Sequence, residues 1–149
     1  MSGNSTTSFG QNISIAIIIF SIIIAMKGGK RMRASRAEIK IEEILTMAEL
    51  NFKEEYIFPE LRSSNGRPLR FDFAVFDDDG NLDFLIEYQG KQHYEASSKF
   101  GGKRGLYQQQ FNDNKKRRFC ALHGFNLIEI PYTEEHLISY DYIMGKAGY

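Results

Sequence analysis

The chain has 149 residues, room for one domain with a respectable core, and its 19 Lys and Arg balance its 19 Asp and Glu. A formal charge of zero argues against a uniformly basic nucleic-acid binder. The single cysteine, Cys120, excludes an internal disulfide framework and fits a reducing cytosol, and no Cys/His spacing suits a zinc site.

Charge is nevertheless segregated. Lys27 to Lys40 holds six basic residues and one acidic, and Lys99 to Arg118 seven basic and one acidic. Asp72 to Glu87 holds six acidic residues and no basic ones. An acidic pocket flanked by basic segments suits a polyphosphate substrate, because the cations offset repulsion between phosphate and carboxylates. Solvated surface charge is the alternative.

Residues 1–12 are small and polar, with the composition of a disordered segment. Ile13 to Met26 is almost wholly apolar, 14 residues against the roughly 20 that cross a bilayer. No Lys or Arg precedes it, so the positive n-region of a secretory signal is missing, and Lys27, Lys30, Arg31 and Arg33 follow it. Three readings stand: a short membrane anchor, an extra strand or helix, or translated sequence upstream of a start at Met26 or Met32. Residues 1–34 are therefore read as an N-terminal extension with a basic linker, and residues 35–149 as the globular domain.

Ser35-x-x-Glu38 is a capping box, and Ile41, Ile44, Leu45 and Ala48 follow at helical spacing, which predicts a helix over 36–50. Glu38 falls on the apolar stripe rather than opposite it. Phe52 to Phe58 reads as a first strand ended by Pro59, and Ser63 to Pro68 as a loop.

Two runs rich in β-formers, about 69–77 and 82–90, flank Asp77-Asp78-Asp79-Gly80-Asn81 and predict a β-hairpin. Asp72 and Glu87 interrupt these strands where a plain core would want no charge. Glu87 and Gln89 share a face, about 6.6 Å apart at 3.3 Å per residue. If Asp72 lies on that face of the paired strand, the oxygens suit a hard divalent cation. The bland alternative is exposed charge on a solvated sheet face.

Ala96 to Gly105 carries three glycines and three cations and reads as a loop, either a flexible connector or a place for backbone to approach phosphates. Tyr107 to Leu122 is predicted helical, with Tyr107, Phe111, Phe119 and Leu122 inward, a basic Lys115 to Arg118 face, Cys120 as packing and Gly124 as its stop. Asn126 to Ile130 is a short strand ended by Pro131. Thr133 is expected to cap a last helix with Glu134 and Glu135 in its first turn.

The segment Ile86-Glu87-Tyr88-Gln89-Gly90-Lys91-Gln92-His93 resembles the PD-(D/E)XK nuclease superfamily, and more narrowly its small phage-type and very-short-patch-repair-like members. The resemblance covers roughly residue 35 to the C-terminus. It implies an α/β fold with a restriction-endonuclease-like α-β-β-β-α-β-α core, a mixed central sheet flanked by helices. The element order read above matches that core. It further implies a Mg²⁺- or Mn²⁺-dependent endonuclease acting on DNA in the cytoplasm, RNA remaining open, with Asp72 and Glu87 as metal ligands. Glu38 matches a glutamate that relatives carry near the metal, capping being the alternative, and Glu42 is a weaker candidate. The family lysine would fall at Gln89, which can orient a water but not carry charge. Lys91, about 13 Å from Glu87 along a straight strand, is the candidate for a migrated lysine. His93 is the candidate general acid or phosphate contact, a structural role being the alternative. Phe71 stands where the family has proline. Lys99, Lys103, Arg104, Lys115 and Lys116 are the expected nucleic-acid contacts, with Gln108 to Gln110 more in keeping with exposed helix surface. Membrane contact through residues 13–26 and a homodimer are compatible with the sequence. The rivals are a non-catalytic nucleic-acid-binding module of the same fold and a membrane-tethered protein.

Overall fold

The computed structural model describes residues 34–149, and Ser35 to Tyr149 form one unit. The readings made for residues 1–33, including the Ile-rich segment, lie outside the described residues. Helix α1 spans Arg36–Met47. Its capping box is complete: the Glu38 amide donates to Ser35 Oγ at 3.2 Å, and the Ser35 amide to Glu38 Oε2 at 3.0 Å. The helix stops short of residue 50, because Glu49 turns left-handed at φ 55°. The Leu50 and Glu49 amides then return to the carbonyls of Leu45 and Thr46, satisfying the last turn.

Strand β1 (Asn51–Arg62) runs through Pro59 instead of ending there. It lies at the edge of a four-stranded sheet of order β1-β2-β3-β4, where a missing amide breaks no central ladder, and its register shifts between Ile57 and Arg62. Strands β2 (Pro68–Phe76) and β3 (Leu82–Gln89) form the predicted hairpin. The turn closes with the Asn81 amide on Asp77 Oδ1 at 2.7 Å and with Gly80 at φ 83°. Helix α2 (Gly102–His123) then returns the chain so that β4 (Asn126–Pro131) pairs parallel to β3, Glu87 opposite Glu129. The sheet is therefore mixed, an antiparallel meander with one parallel edge.

Apolar side chains divide between its two faces. Phe73, Val75, Phe84, Ile86, Ile128 and Ile130 meet Ala37, Ile41 and Leu45 of α1 and Ile143 of α3 (Tyr140–Ala147). Phe71, Ala74 and Leu85 meet Cys120 and Phe119 of α2, joined by Phe58 and Phe125. Strand alternation would put Phe71 and Phe73 on one face. They lie on opposite faces, so the pleat breaks at Asp72, beside Glu55 at φ 51° on β1.

Three further expectations are corrected. Helix α2 begins at Gly102 rather than Tyr107, so Gly105 lies within it and serves packing: a Cβ there would sit 1.7 Å from the Phe100 carbonyl oxygen. Of the four α2 residues expected inward, only Phe119 packs; Tyr107, Phe111 and Leu122 face solvent, because the helix seats itself through Asp113, Lys116 and Cys120. Thr133 caps no α-helix. Tyr132–Leu137 is a 3₁₀ segment, Ile138 is buried in extended backbone, and Ser139 caps α3 by accepting from the Tyr142 amide at 3.2 Å.

Candidate functional site

The β2–β3 ladder ends at the pair Phe73 and Ile86. One step further the register would set Asp72 across from Glu87. There the broken pleat lets the Asp72 carboxylate replace a ladder carbonyl, accepting the Tyr88 amide at 2.7 Å. Asp72 is thereby fixed beside the backbone that carries Glu87. Burial pushes its carboxyl up to about 6 from 3.8, against the pull of the Tyr88 amide, and the Glu38 carboxylate at the start of α1 adds to the rise.

Glu87 shares its face with Leu85 and so points toward α2. It is buried, and burial followed by repulsion from Asp72 holds its carboxyl well above the usual range. Lys116 answers it, Nζ donating to Glu87 Oε1 at 2.6 Å. The same ammonium lies 5.3 Å from the Phe71 ring centroid. Two acids with raised proton affinity, sharing one lysine beneath a helix, form an arrangement poised for proton or cation exchange.

A second layer surrounds them. Gln89 donates to Glu129, directly beyond Glu87 on β4, and accepts from Tyr94 Oη at 2.6 Å. Arg117 Nε grips both Glu129 oxygens at 2.9 and 2.8 Å. His93 Nδ1 lies 2.9 Å from Asp113 Oδ2, and the Gln109 amide touches both. The backbone turns at Gly90, where β3 has ended and a 3₁₀ turn (Lys91–His93) begins. That turn brings His93 onto α2.

The sequence-predicted residues therefore separate. Glu87 and His93 bond to α2, Asp72 bonds to the Tyr88 amide next to Glu87, and Gln89 bonds to Glu129 on β4 and to Tyr94. Glu38 completes the capping box, and its charge also raises the proton affinity of Asp72. Glu42 is buried on α1. Lys91 is off the strand, exposed and paired with Glu95 at 3.2 Å. Lys99 is exposed in a 3₁₀ turn (Ser98–Phe100) before α2, Lys103 and Arg104 are exposed at its start, and Lys115 donates to the Arg62 carbonyl at 2.7 Å. Lys116 was expected on an outer basic face and instead turns inward to Glu87. Asp113, Glu129 and Tyr94 carry no site signal of their own in the sequence, while Gln109, expected on exposed helix surface, contacts His93 and Asp113, and Arg117, expected on a basic face, pairs with Glu129. The one visible signal is Gln109, Asp113, Lys116 and Cys120 recurring at helical spacing, a face whose middle holds the lone acid of a basic run.

Among the described residues no group of three or more His, Cys, Asp or Glu side chains is arranged to hold a metal ion. Among them, too, no helix is long and apolar enough to cross a membrane.

Comparison with known proteins finds viral relatives. The chain is 45% identical over 62 residues to "Uncharacterized protein 094L" of Frog virus 3 (isolate Goorha), 40% of each chain. It is 34% identical over 117 residues to "Uncharacterized protein 033L" of Invertebrate iridescent virus 3, covering 74% of this chain and 56% of that one. A third, "Uncharacterized protein 307L" of Invertebrate iridescent virus 6, is 40% identical over 58 residues, 38% of this chain and 29% of that one. The chain thus spans about half or less of the curated relatives it matches. No family model and no solved structure matches it.

Proposed function

We propose that the domain is a metal-dependent nuclease of PD-(D/E)XK type, cleaving phosphodiester bonds in DNA, with Asp72 and Glu87 as its metal ligands. The observation that carries this reading is the convergence of a buried carboxylate, Glu87, and a half-buried one, Asp72, at the open end of a hairpin, with a lysine on Glu87. The order α-β-β-β-α-β, with β4 parallel to β3, supports a restriction-endonuclease-like core.

The donor set fits Mg²⁺ or Mn²⁺ in its chemistry: hard oxygens whose proton affinity is raised by burial and by neighbouring carboxylates. Two carboxylates fall short of a prebuilt cage, and Mg²⁺ commonly completes its shell with water and substrate phosphate; the Tyr88 carbonyl is a further oxygen. A bound divalent cation would polarise the scissile phosphate and lower the pKa of water. Lys116, rather than Lys91, takes the lysine role in this reading, since it already touches Glu87. It would hold charge against the phosphate that accumulates negative charge during displacement. Gln89 is held between Glu129 and Tyr94 and acts by positioning. His93, oriented by Asp113, would give a proton to the leaving oxygen.

The experiment is plasmid nicking with Mg²⁺ or Mn²⁺, repeated with Asp72→Asn and Glu87→Gln. Metal-dependent nicking lost in both variants is expected; nicking that survives either substitution sinks the assignment. A second reading, a binding module of the same fold without catalysis, is favoured by Gln89 standing where the family has lysine. Binding of DNA with no cleavage under either metal would select it.

A further inference from the structure

Helix α2 has two opposite faces, and the proposed chemistry uses only one. At 3.6 residues per turn, Gln109, Asp113, Lys116 and Cys120 share the inner direction. Arg104, Tyr107, Phe111, Lys115, Arg118 and Leu122 fall within about 50° of the opposite one, along about 27 Å of helix. The structure bears this out: Tyr107 is 70% exposed, Phe111 52% and Leu122 83%. Aromatic rings left in water on a helix that has an adequate core elsewhere are the informative kind of surface.

Along the stripe two adjacent rings, Tyr107 and Phe111, are flanked by cations, Arg104 before them and Lys115 and Arg118 after. Lys115 Nζ lies 5.8 Å from the Phe111 ring centroid while its ammonium is steadied on the Arg62 carbonyl. Arg104 and Arg118 form no ion pair among the described residues, and no Asp or Glu lies on the stripe. Because the whole chain is neutral, this is local positive charge and not a general excess. Successive ring positions four residues apart stand about 5–6 Å from each other. That spacing lets neighbouring bases of an unpaired strand meet neighbouring rings.

We infer that the outer face of α2 is a track for single-stranded nucleic acid, with bases stacking on Tyr107 and Phe111 and phosphates on Arg104, Lys115 and Arg118. Paired bases keep their faces stacked inside a duplex, so exposed rings offer a duplex little, whereas unpaired bases present faces to aromatic side chains irrespective of sequence. A second copy of this chain suits the stripe less well, since isologous contact would gather the cations of both copies with no carboxylate to offset them. The inference extends the nuclease reading to a substrate with an unpaired strand, and its test is kept apart from cleavage.

The test is fluorescence anisotropy of labelled single-stranded and duplex oligonucleotides, deoxy and ribo, without divalent cation, over a range of salt. The wild type is expected to bind single strands more tightly than duplex. Tyr107→Ala with Phe111→Ala is expected to weaken single-strand binding by roughly tenfold to a hundredfold while leaving the salt slope unchanged. Arg104→Ala is expected to lower the slope by about 0.7. Tyr107→Trp, which keeps a stacking ring, should retain affinity. The substituted side chains are exposed, so circular dichroism should show intact folds. Equal single-strand binding by the double-ring variant overturns the inference. So does a self-associating wild type that the double-ring variant turns monomeric with nucleic-acid binding untouched, which would make the stripe an interface between copies. Asp72→Asn should bind like the wild type, so lost cleavage with retained binding separates the two proposals.

Discussion

Lys116 reaches from α2 to Glu87 on β3, Nζ to Oε1 at 2.6 Å, with the two side chains only 13% and 7% exposed. An ion pair so enclosed does more for the placement of a charge than for stability, because desolvation offsets much of its attraction. Removing one partner is another matter, since the carboxylate left behind is buried without a cation.

Lys116→Met should therefore cost about 3–5 kcal/mol at alkaline pH. Lys116 lowers the proton affinity of Glu87, so without it that group, already raised, rises further. The folded state then binds a proton that the unfolded state does not, and stability falls as pH increases. Urea denaturation at about pH 8 and about pH 5 should show the loss shrinking at the lower value. If the nuclease proposal holds, cleavage by this variant drops about 10²–10⁴-fold. Gln89→Lys in the same background, restoring an ammonium at the family position, should recover part of it.

Asp72→Asn is expected to stabilise the metal-free protein at neutral pH. The Asp72 carboxyl sits at about 6 in the folded chain against 3.8 ordinarily. Between those values the folded state holds more protons than the unfolded one, so its stability declines as pH climbs through that window, and the penalty is complete above it. The asparagine removes the penalty and can still accept the Tyr88 amide. Thermal denaturation at about pH 7 should show a gain of about 1–3 kcal/mol that vanishes near pH 4. Added Mn²⁺ should raise the melting temperature of the wild type and leave that of the variant in place.

Asp113→Asn tests whether His93 is held for chemistry. The His93 contact at 2.9 Å survives geometrically in the asparagine, but the negative charge behind the ring does not. Cleavage should fall about tenfold or more, and KM should change little. Unaltered cleavage would return His93 to a structural role.

Glu49→Gly should raise stability by about 1 kcal/mol, because Glu49 occupies the left-handed position that ends α1, where a side chain costs energy and glycine does not. Equilibrium denaturation would read it directly, with the slope unchanged. Activity should be unaffected.

Much of this architecture follows from local rules. The capping box at Ser35 and Glu38, the Asp77 to Asn81 turn and the Gly124 stop are each satisfied by residues a few positions apart, so composition and spacing suffice to predict them. Pro59 misled because its cost depends on whether a strand is central or at the edge, and neighbours decide that. Tyr107, Phe111 and Leu122 misled because hydrophobic spacing identifies a helix face but not what covers it.

The sequence by itself determined the elements, their order and the two acids that interrupt a hairpin. Tertiary structure alone decided which lysine meets Glu87, that Gln89 belongs to Glu129 and Tyr94, and that His93 rests on Asp113. Tyr94 aside, the partners of these contacts lie 20 to 40 residues apart, bridging β3 or its following turn to α2 and β4. Their meeting depends on how a helix rotates as it packs on a sheet, and no periodicity within one segment encodes that angle.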